Sequence, residues 1–398
     1  MKLATLLALA GAGLALAANA AAETDLEILN RGNTRFACEL YQKLAEPARD
    51  NLFFSPNSLS TALAMAWAGA RGETSRAMAS TLHFDLPPER LHAAYRELLE
   101  RLGSEKLNEL NAANALWAQR GLGFLPEYLN LARNSYRAGL EELDFRKAPE
   151  PARKSINAWV ERQTRDRIKD LIPPGVINSQ TRLVLTNAIY FKGTWAEKFL
   201  EKNTLEAPFQ PEAGPPVKAR LMNRQGEFGY FETPELQGLE IPYAGERLSM
   251  VILLPREADG LKNLEKRLNA ENLSGWLGQM RNREVKAALP RFRLTGEFAL
   301  AGVLAGMGLG PAFSDRADFS GITGRPDLCI SEVVHKSFVE VNEAGTEAAA
   351  ATGVVMRVTS IRPPRAVPVF RADHPFIFLI RERATGALLF LGRLANPA

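Results

Sequence analysis

Histidine and cysteine are scarce in this chain, with four and two copies respectively in 398 residues. The histidines (His83, His92, His335 and His374) are scattered, and none has a ligand neighbour at metal spacing, so no metal site is expected. Cys38 and Cys329 make no disulfide framework. They are read as buried free thiols, although an exported protein would permit a bond between them. Absent as well are a G-x-S-x-G nucleophile elbow, an H-E-x-x-H zinc motif and a phosphate loop of G-x-x-x-x-G-K-[ST] form. Gly306, Gly308 and Gly310 lack the final spacing of a dinucleotide loop and follow a helical run. No catalytic residue and no cofactor are expected. A surplus of one charge is missing too: 49 basic and 45 acidic residues are interspersed and leave a net charge of +4. That balance gives no reason to expect a nucleic-acid or membrane partner. No linker, repeat or low-complexity block divides the chain, so one large unit spanning 23–398 is expected.

What is present begins with a leader. Lys2 precedes an apolar run from Leu3 to Ala18, and Ala20, Ala21 and Ala22 follow. Positive start, hydrophobic centre and small-residue end read as a secretory signal over residues 1–22, cleaved after Ala20 or Ala22. The expectation is therefore a secreted protein, extracellular or periplasmic.

Periodicity then places the elements. Helices are expected over Glu27–Leu44, from Ser55 to Trp67, and over Leu91–Leu102, Ser155–Leu171, Leu261–Trp276 and Leu300–Met307. Asn51–Phe54 reads as a short strand and Leu183–Phe191 as a buried one, with Asn187 a polar group in need of a partner. Ile241–Pro255 reads as a hairpin turning at Ala244-Gly245, and Glu284–Leu294 as a strand marked by a proline as an edge or bulge. Strands with helices grouped apart from them give an α+β class.

One stretch stands out, Glu343 to Pro364. Counted in twos from Thr346, one face holds Thr346, Ala348, Ala350, Thr352, Val354, Met356 and Val358. The other face takes both charges, Glu347 and Arg357. A period of two with all charge on one side is the pattern of a half-buried strand, and no proline interrupts it before Pro363.

The hinge EAGTEAAAAT resembles the reactive-loop hinge of the serpin family, the serine protease inhibitor fold, and the chain is similar to a bacterial, secreted type of member. Further carriers are NLFFSPNSLSTALAMAWAGARGET (Asn51–Thr74), LVLTNAIYFKGTW (Leu183–Trp195), VVHKSFVEVNEAGTEA (Val333–Ala348), FRADHPFIFLI (Phe370–Ile380) and LFLGRLANP (Leu389–Pro397). The resemblance implies three β-sheets, about eight or nine helices and an exposed reactive-centre loop over about 343–364. It implies a suicide substrate, whose cleaved loop inserts into the main sheet and traps a target serine protease as a covalent acyl complex. Family spacing puts the reactive bond at Thr359–Ser360; cutting after Arg357, Val358 or Ile361 stays open. The implied hinge is Glu343, Gly345, Thr346, Glu347, Ala348, Ala349, Ala350 and Ala351. The implied sheet-opening region holds Ser55, Ser58, Asn187, Trp195, Arg291 and His335, with His335 next to Ser55 and Asn187, and Glu343 paired with Arg291. In some members the counterpart of Leu91–Leu102 binds sulfated polysaccharide; Glu97 and Glu100 dilute its charge here. A monomer is expected. Thr359 suggests an elastase-like or subtilisin-like target. The alternatives are a trypsin-like or cysteine protease, or a non-inhibitory member that serves as a binding or chaperone protein.

Overall fold

The computed structural model describes residues 22–46, 50–346 and 366–397. Helix α1 (Asp25–Ala45) opens with a reciprocal capping box. The Thr24 hydroxyl accepts from Glu27 N, and the Glu27 carboxylate accepts from Thr24 N at 2.8 Å. Strand β1 (Leu52–Phe54) leads into α2 (Pro56–Gly69), capped by Ser55, with Pro56 at the position where no N–H is needed. Next come α3 (Gly72–Thr81), α4 (Pro88–Gly103), β2 (Glu109–Gln119), α5 (Pro126–Tyr136), β3 (Gly139–Leu143), α6 (Pro149–Gln163) and β4 (Leu183–Thr194). Four strands fill the middle: β5 (Leu205–Phe209), β6 (Val217–Glu232), β7 (Leu236–Pro242) and β8 (Leu248–Pro255). Helices α7 (Leu261–Arg267) and α8 (Ala270–Gly278) precede β9 (Arg281–Pro290) and β10 (Phe292–Ala299). Three helical turns, α9 (Ala301–Leu304), α10 (Gly310–Phe313) and α11 (Ser320–Thr323), lead to β11 (Glu332–Asn342) and β12 (Gly345–Thr346). The chain ends with β13 (Val369–Arg371), β14 (Phe376–Glu382) and β15 (Leu388–Leu394).

The α+β class stands. Among the described residues eight helices have seven residues or more, and the three short turns add to them. The three expected sheets join into two hydrogen-bonded networks. The nine-stranded one runs β1-β15-β14-β8-β7-β6-β9-β13, with β5 also on β6. Its two halves merge because β6 is long enough to serve both: Val217–Leu221 pairs with β5, and Gly229–Glu232 with β7. The six-stranded sheet runs β10-β11-β12-β4-β2-β3, and β11 also pairs directly with β4. Helix α2 is buried almost throughout, Pro56 to Trp67, against this sheet and the main core. A second core lies under α6, where Ile156, Val160, Ile168, Leu171 and Ile172 pack on Trp117 and Val184.

Several elements differ from the sequence reading. The helix expected over Leu300–Met307 is α9, ending at Leu304, followed by a wider turn over Ala305–Leu309 that kinks at Gly308. The helix expected over Ser155–Leu171 begins earlier and ends at Gln163. Thr164 closes it, its hydroxyl donating to Val160 O at 2.9 Å and accepting from Ile168 N at 3.2 Å. Asn157 then holds the following segment by exchanging two bonds with the Ile172 backbone. The apolar spacing of 164–172 serves that segment's own burial, not a helix. Leu261–Trp276 is two helices, because Asn269 caps the second by accepting from Asn272 N at 2.8 Å. Glu284–Leu294 is two strands in different sheets, since Pro290 offers no ladder donor and the chain turns at Arg291.

Candidate functional site

Strands β4 and β11 are neighbours in the centre of the six-stranded sheet. Their parallel pairing runs from Val184↔Glu332 to Tyr190↔Phe338 and stops. Above that point β12 lies between them: Gly345 pairs with Thr194 and Thr346 with Gly193 on one side, and with Asn342 and Val341 on the other. Two hinge residues are thus already ladder members at the top of a parted pair. Glycine is required for the approach. Gly345 has φ 149°, and a Cβ there would lie 2.0 Å from the Gly193 carbonyl oxygen. Thr346 is fully buried, its hydroxyl 2.7 Å from that of Tyr243, whose ring stacks on Trp195. Trp195 clamps the turn from both ends, donating from its backbone N to Ala344 O and from its indole N–H to Asn342 O.

The hinge glutamate sits beside this gap. The Glu343 side chain is 6% exposed, and its carboxylate accepts from Arg291 Nε at 2.6 Å, from Arg291 Nη2 and from the Thr204 hydroxyl. Burial pushes its carboxyl up, but Thr204 and Arg291 outweigh burial and hold it below the usual carboxylate range. The Glu343 carbonyl accepts from Phe199 N at 3.0 Å. Arg291 reaches this place from the corner between β9 and β10.

Lower in the same sheet the second group of sequence-derived residues converges. His335 is fully buried, and Nε2 accepts from Ser55 N at 3.1 Å. Nδ1 must therefore carry the proton and donate to Asn187 Oδ1, 2.5 Å away. The ring is neutral, since burial pushes its pKa down to about 3 against a small opposing contribution from Asn187. Asn187 Nδ2 donates to Ser58 Oγ at 2.6 Å and to Asn114 Oδ1, and the Ser55 hydroxyl donates to Leu389 O at 2.6 Å. Ser55, Ser58, Asn187 and His335 form one chain of bonds linking α2 to β4 and β11.

Sequence reasoning missed Thr204, Phe199, Tyr243 and Asn114. Asn114 had a signal, an amide between Ala113 and Ala115, which the Asn114↔Asn187 register explains. Thr204 had none. Glu347 to Ala351, Thr359 and Ser360 lie outside the described residues. Cys38 is buried, and burial pushes its thiol up to about 12; Cys329 is half-buried, and both are free thiols. Among the described residues no cluster of metal-ligating side chains occurs, and no helix is long and apolar enough to cross a membrane.

A central strand pair is thus parted at one end, and the residues after Glu343 pair with both strands there. The family model described as Serpin (serine protease inhibitor) matches residues 31–397. The chain belongs to the serpin family. It is 44% identical to the leukocyte elastase inhibitor of Bos taurus over 385 residues, covering 94% of this serpin and 100% of the relative. It is 42% identical to the leukocyte elastase inhibitor of Homo sapiens over 386 residues, with the same coverage. Among solved structures, uncleaved ovalbumin superposes with a TM-score of 0.84 at 33% identity, covering 93% of this serpin and 100% of that chain. Family and relatives together support serine protease inhibition.

These relatives correct the expected localisation. They are matched over 100% of their own length yet reach only 94% of this serpin, and the family match runs on to residue 397. The unmatched part is therefore the N-terminal stretch, and the leukocyte elastase inhibitors carry no counterpart of the 1–22 leader. Such relatives conflict with secretion, and that expectation is withdrawn. Nor do these animal relatives support a bacterial type.

Proposed function

We propose that this serpin is a suicide-substrate inhibitor of serine proteases, with residues 343–364 as its reactive-centre loop and Thr359–Ser360 as its reactive bond. In this reading the target protease attacks the Thr359 carbonyl and forms an ester. The freed strand then inserts between β4 and β11, carrying the tethered protease across the molecule and distorting its active site. The observation that carries the reading is the pairing of Gly345 and Thr346 with both strands at once. Entry has a defined starting register, and the alternation from Thr346 to Val358 continues it with only uncharged residues on one face. Length is consistent. About 3.3 Å per residue gives Glu343 to Thr359 a reach of roughly 55 Å, close to the roughly 54 Å diameter expected for a domain of this size. In this reading the small side chains of Ala348 to Ala351 let the hinge enter without steric clash.

Thr359 before the bond suits a protease that accepts small or β-branched residues, elastase-like or subtilisin-like. The test is to mix the protein with neutrophil-type elastase, subtilisin and trypsin and to read denaturing gels and intact mass. An SDS-stable adduct with a released peptide beginning at Ser360 is expected. Clean cleavage of the loop with full protease activity remaining would overturn the inhibitory reading.

A further inference from the structure

Away from the hinge, the C-terminal end of α4, the turn between β7 and β8 and the end of β14 border an open cleft of about 470 Å³. Its lining is dominated by four guanidinium groups, Arg101, Arg247, Arg381 and Arg383, with Glu246 and Glu382 beside them. Buried acids hold these arginines in place. Glu382, 2% exposed, accepts from Thr385 N and Oγ1, both at 2.6 Å, and from Arg101 Nη2 at 3.2 Å. Glu240, 7% exposed, accepts from the Ser249 hydroxyl at 2.7 Å and from Arg381 Nη2 at 2.8 Å, with Arg383 Nε 3.6 Å away. Arg247 is held by Arg101 O and Ser104 Oγ, with Glu105 3.8 Å away.

Donors remain. Among the described residues, Nη1 of Arg101, Nη1 of Arg381 and Nη2 of Arg383 have no acceptor, and Arg101 Nε is buried without one. The acid on the rim is Glu246, 69% exposed and 3.6 Å from Arg383, where solvent screens it. A pocket of preset guanidinium forks with unmet N–H groups matches a tetrahedral dianion, which can accept from several forks at once. Its volume falls in the range that takes a small ligand with an attached group.

We propose that this cleft is a binding site for a phosphate group, free or as the monoester of a small molecule. The site differs from the outward face of α4, because only Arg101 comes from that helix.

The test is isothermal titration of the full chain with inorganic phosphate, methyl phosphate and sodium sulfate at matched ionic strength. Saturable phosphate binding is expected, weakened about tenfold by Arg383→Ala through loss of a charge-assisted donor. Glu246→Gln is expected to tighten it several-fold, because the competing rim carboxylate is neutralised. Methyl phosphate binding as tightly as inorganic phosphate places a monoester in the cleft; binding of inorganic phosphate alone makes the free ion the ligand. Three results would overturn the proposal: no saturation beyond the matched chloride control, equal affinity in wild type and Arg383→Ala, or binding of sulfate without phosphate. Unchanged thermal midpoints of the two variants without added anion keep misfolding out of the comparison.

Discussion

Arg291 Nε donates to Glu343 Oε1 at 2.6 Å, joining the corner after β9 to the first residue of the loop hinge, 52 positions away in sequence. The carboxylate is 6% exposed, so its charge depends on Arg291 and Thr204. Arg291→Ala is expected to cost about 2–3 kcal/mol, because a buried charge loses its main partner while Thr204 remains. The thermal midpoint should fall and loop insertion should quicken; no change in either would mean that the pair does not fasten the hinge. The pH dependence has a definite sign. The carboxyl is lowered in the folded state, so its contribution is complete above the ordinary value of about 4.3 and is lost as pH falls through the lower folded value.

His335 gives a second pH dependence over a wider window. Its folded pKa of about 3 lies below the ordinary value of about 6.5, so the unfolded chain binds the extra proton between them. Stability should be complete above pH ~6.5 and decline on acidification, by at most about 1.4 kcal/mol per pH unit from this group. Replacing His335 with Gln should flatten the dependence of the midpoint between pH 6 and 4. A slope identical to wild type would assign the acid sensitivity elsewhere.

Gly345 tests the entry register. Gly345→Ala places a Cβ against the Gly193 carbonyl at a φ that side chains rarely adopt, and should cost on the order of 2–3 kcal/mol. The hinge should leave the gap between β4 and β11. The gain in heat stability expected on nicking of the loop, if it inserts as proposed, should then develop more slowly than in wild type.

Asn157 is the fastening of the segment after α6. Its amide exchanges bonds of 3.0 and 2.9 Å with Ile172 O and N, both buried. Asn157→Ala should cost about 2–3 kcal/mol. Limited proteolysis should open first within 164–172, where Arg165, Asp166 and Asp170 hold positive φ.

Read as a string, the chain determined its α+β class, the core faces of α1, α2 and α4, the buried strand around Asn187, and a loop written with strand periodicity. Those properties are local: the period of apolar residues and the chemistry of capping positions are set within a few residues of each other. It also named the residue types of the hinge and of the buried polar chain, through their resemblance to a family. The tertiary structure decided the rest. Only the tertiary fold brings Thr204 to Glu343 across 139 positions, and only strand register sets Asn114 against Asn187 across 73. Only the competition for backbone partners ends α6 at Gln163 and turns the chain between Pro290 and Phe292. The parting of β4 and β11 above Tyr190 and Phe338 belongs to neither strand's sequence, because a gap is a relation between two strands and the segment that fills it.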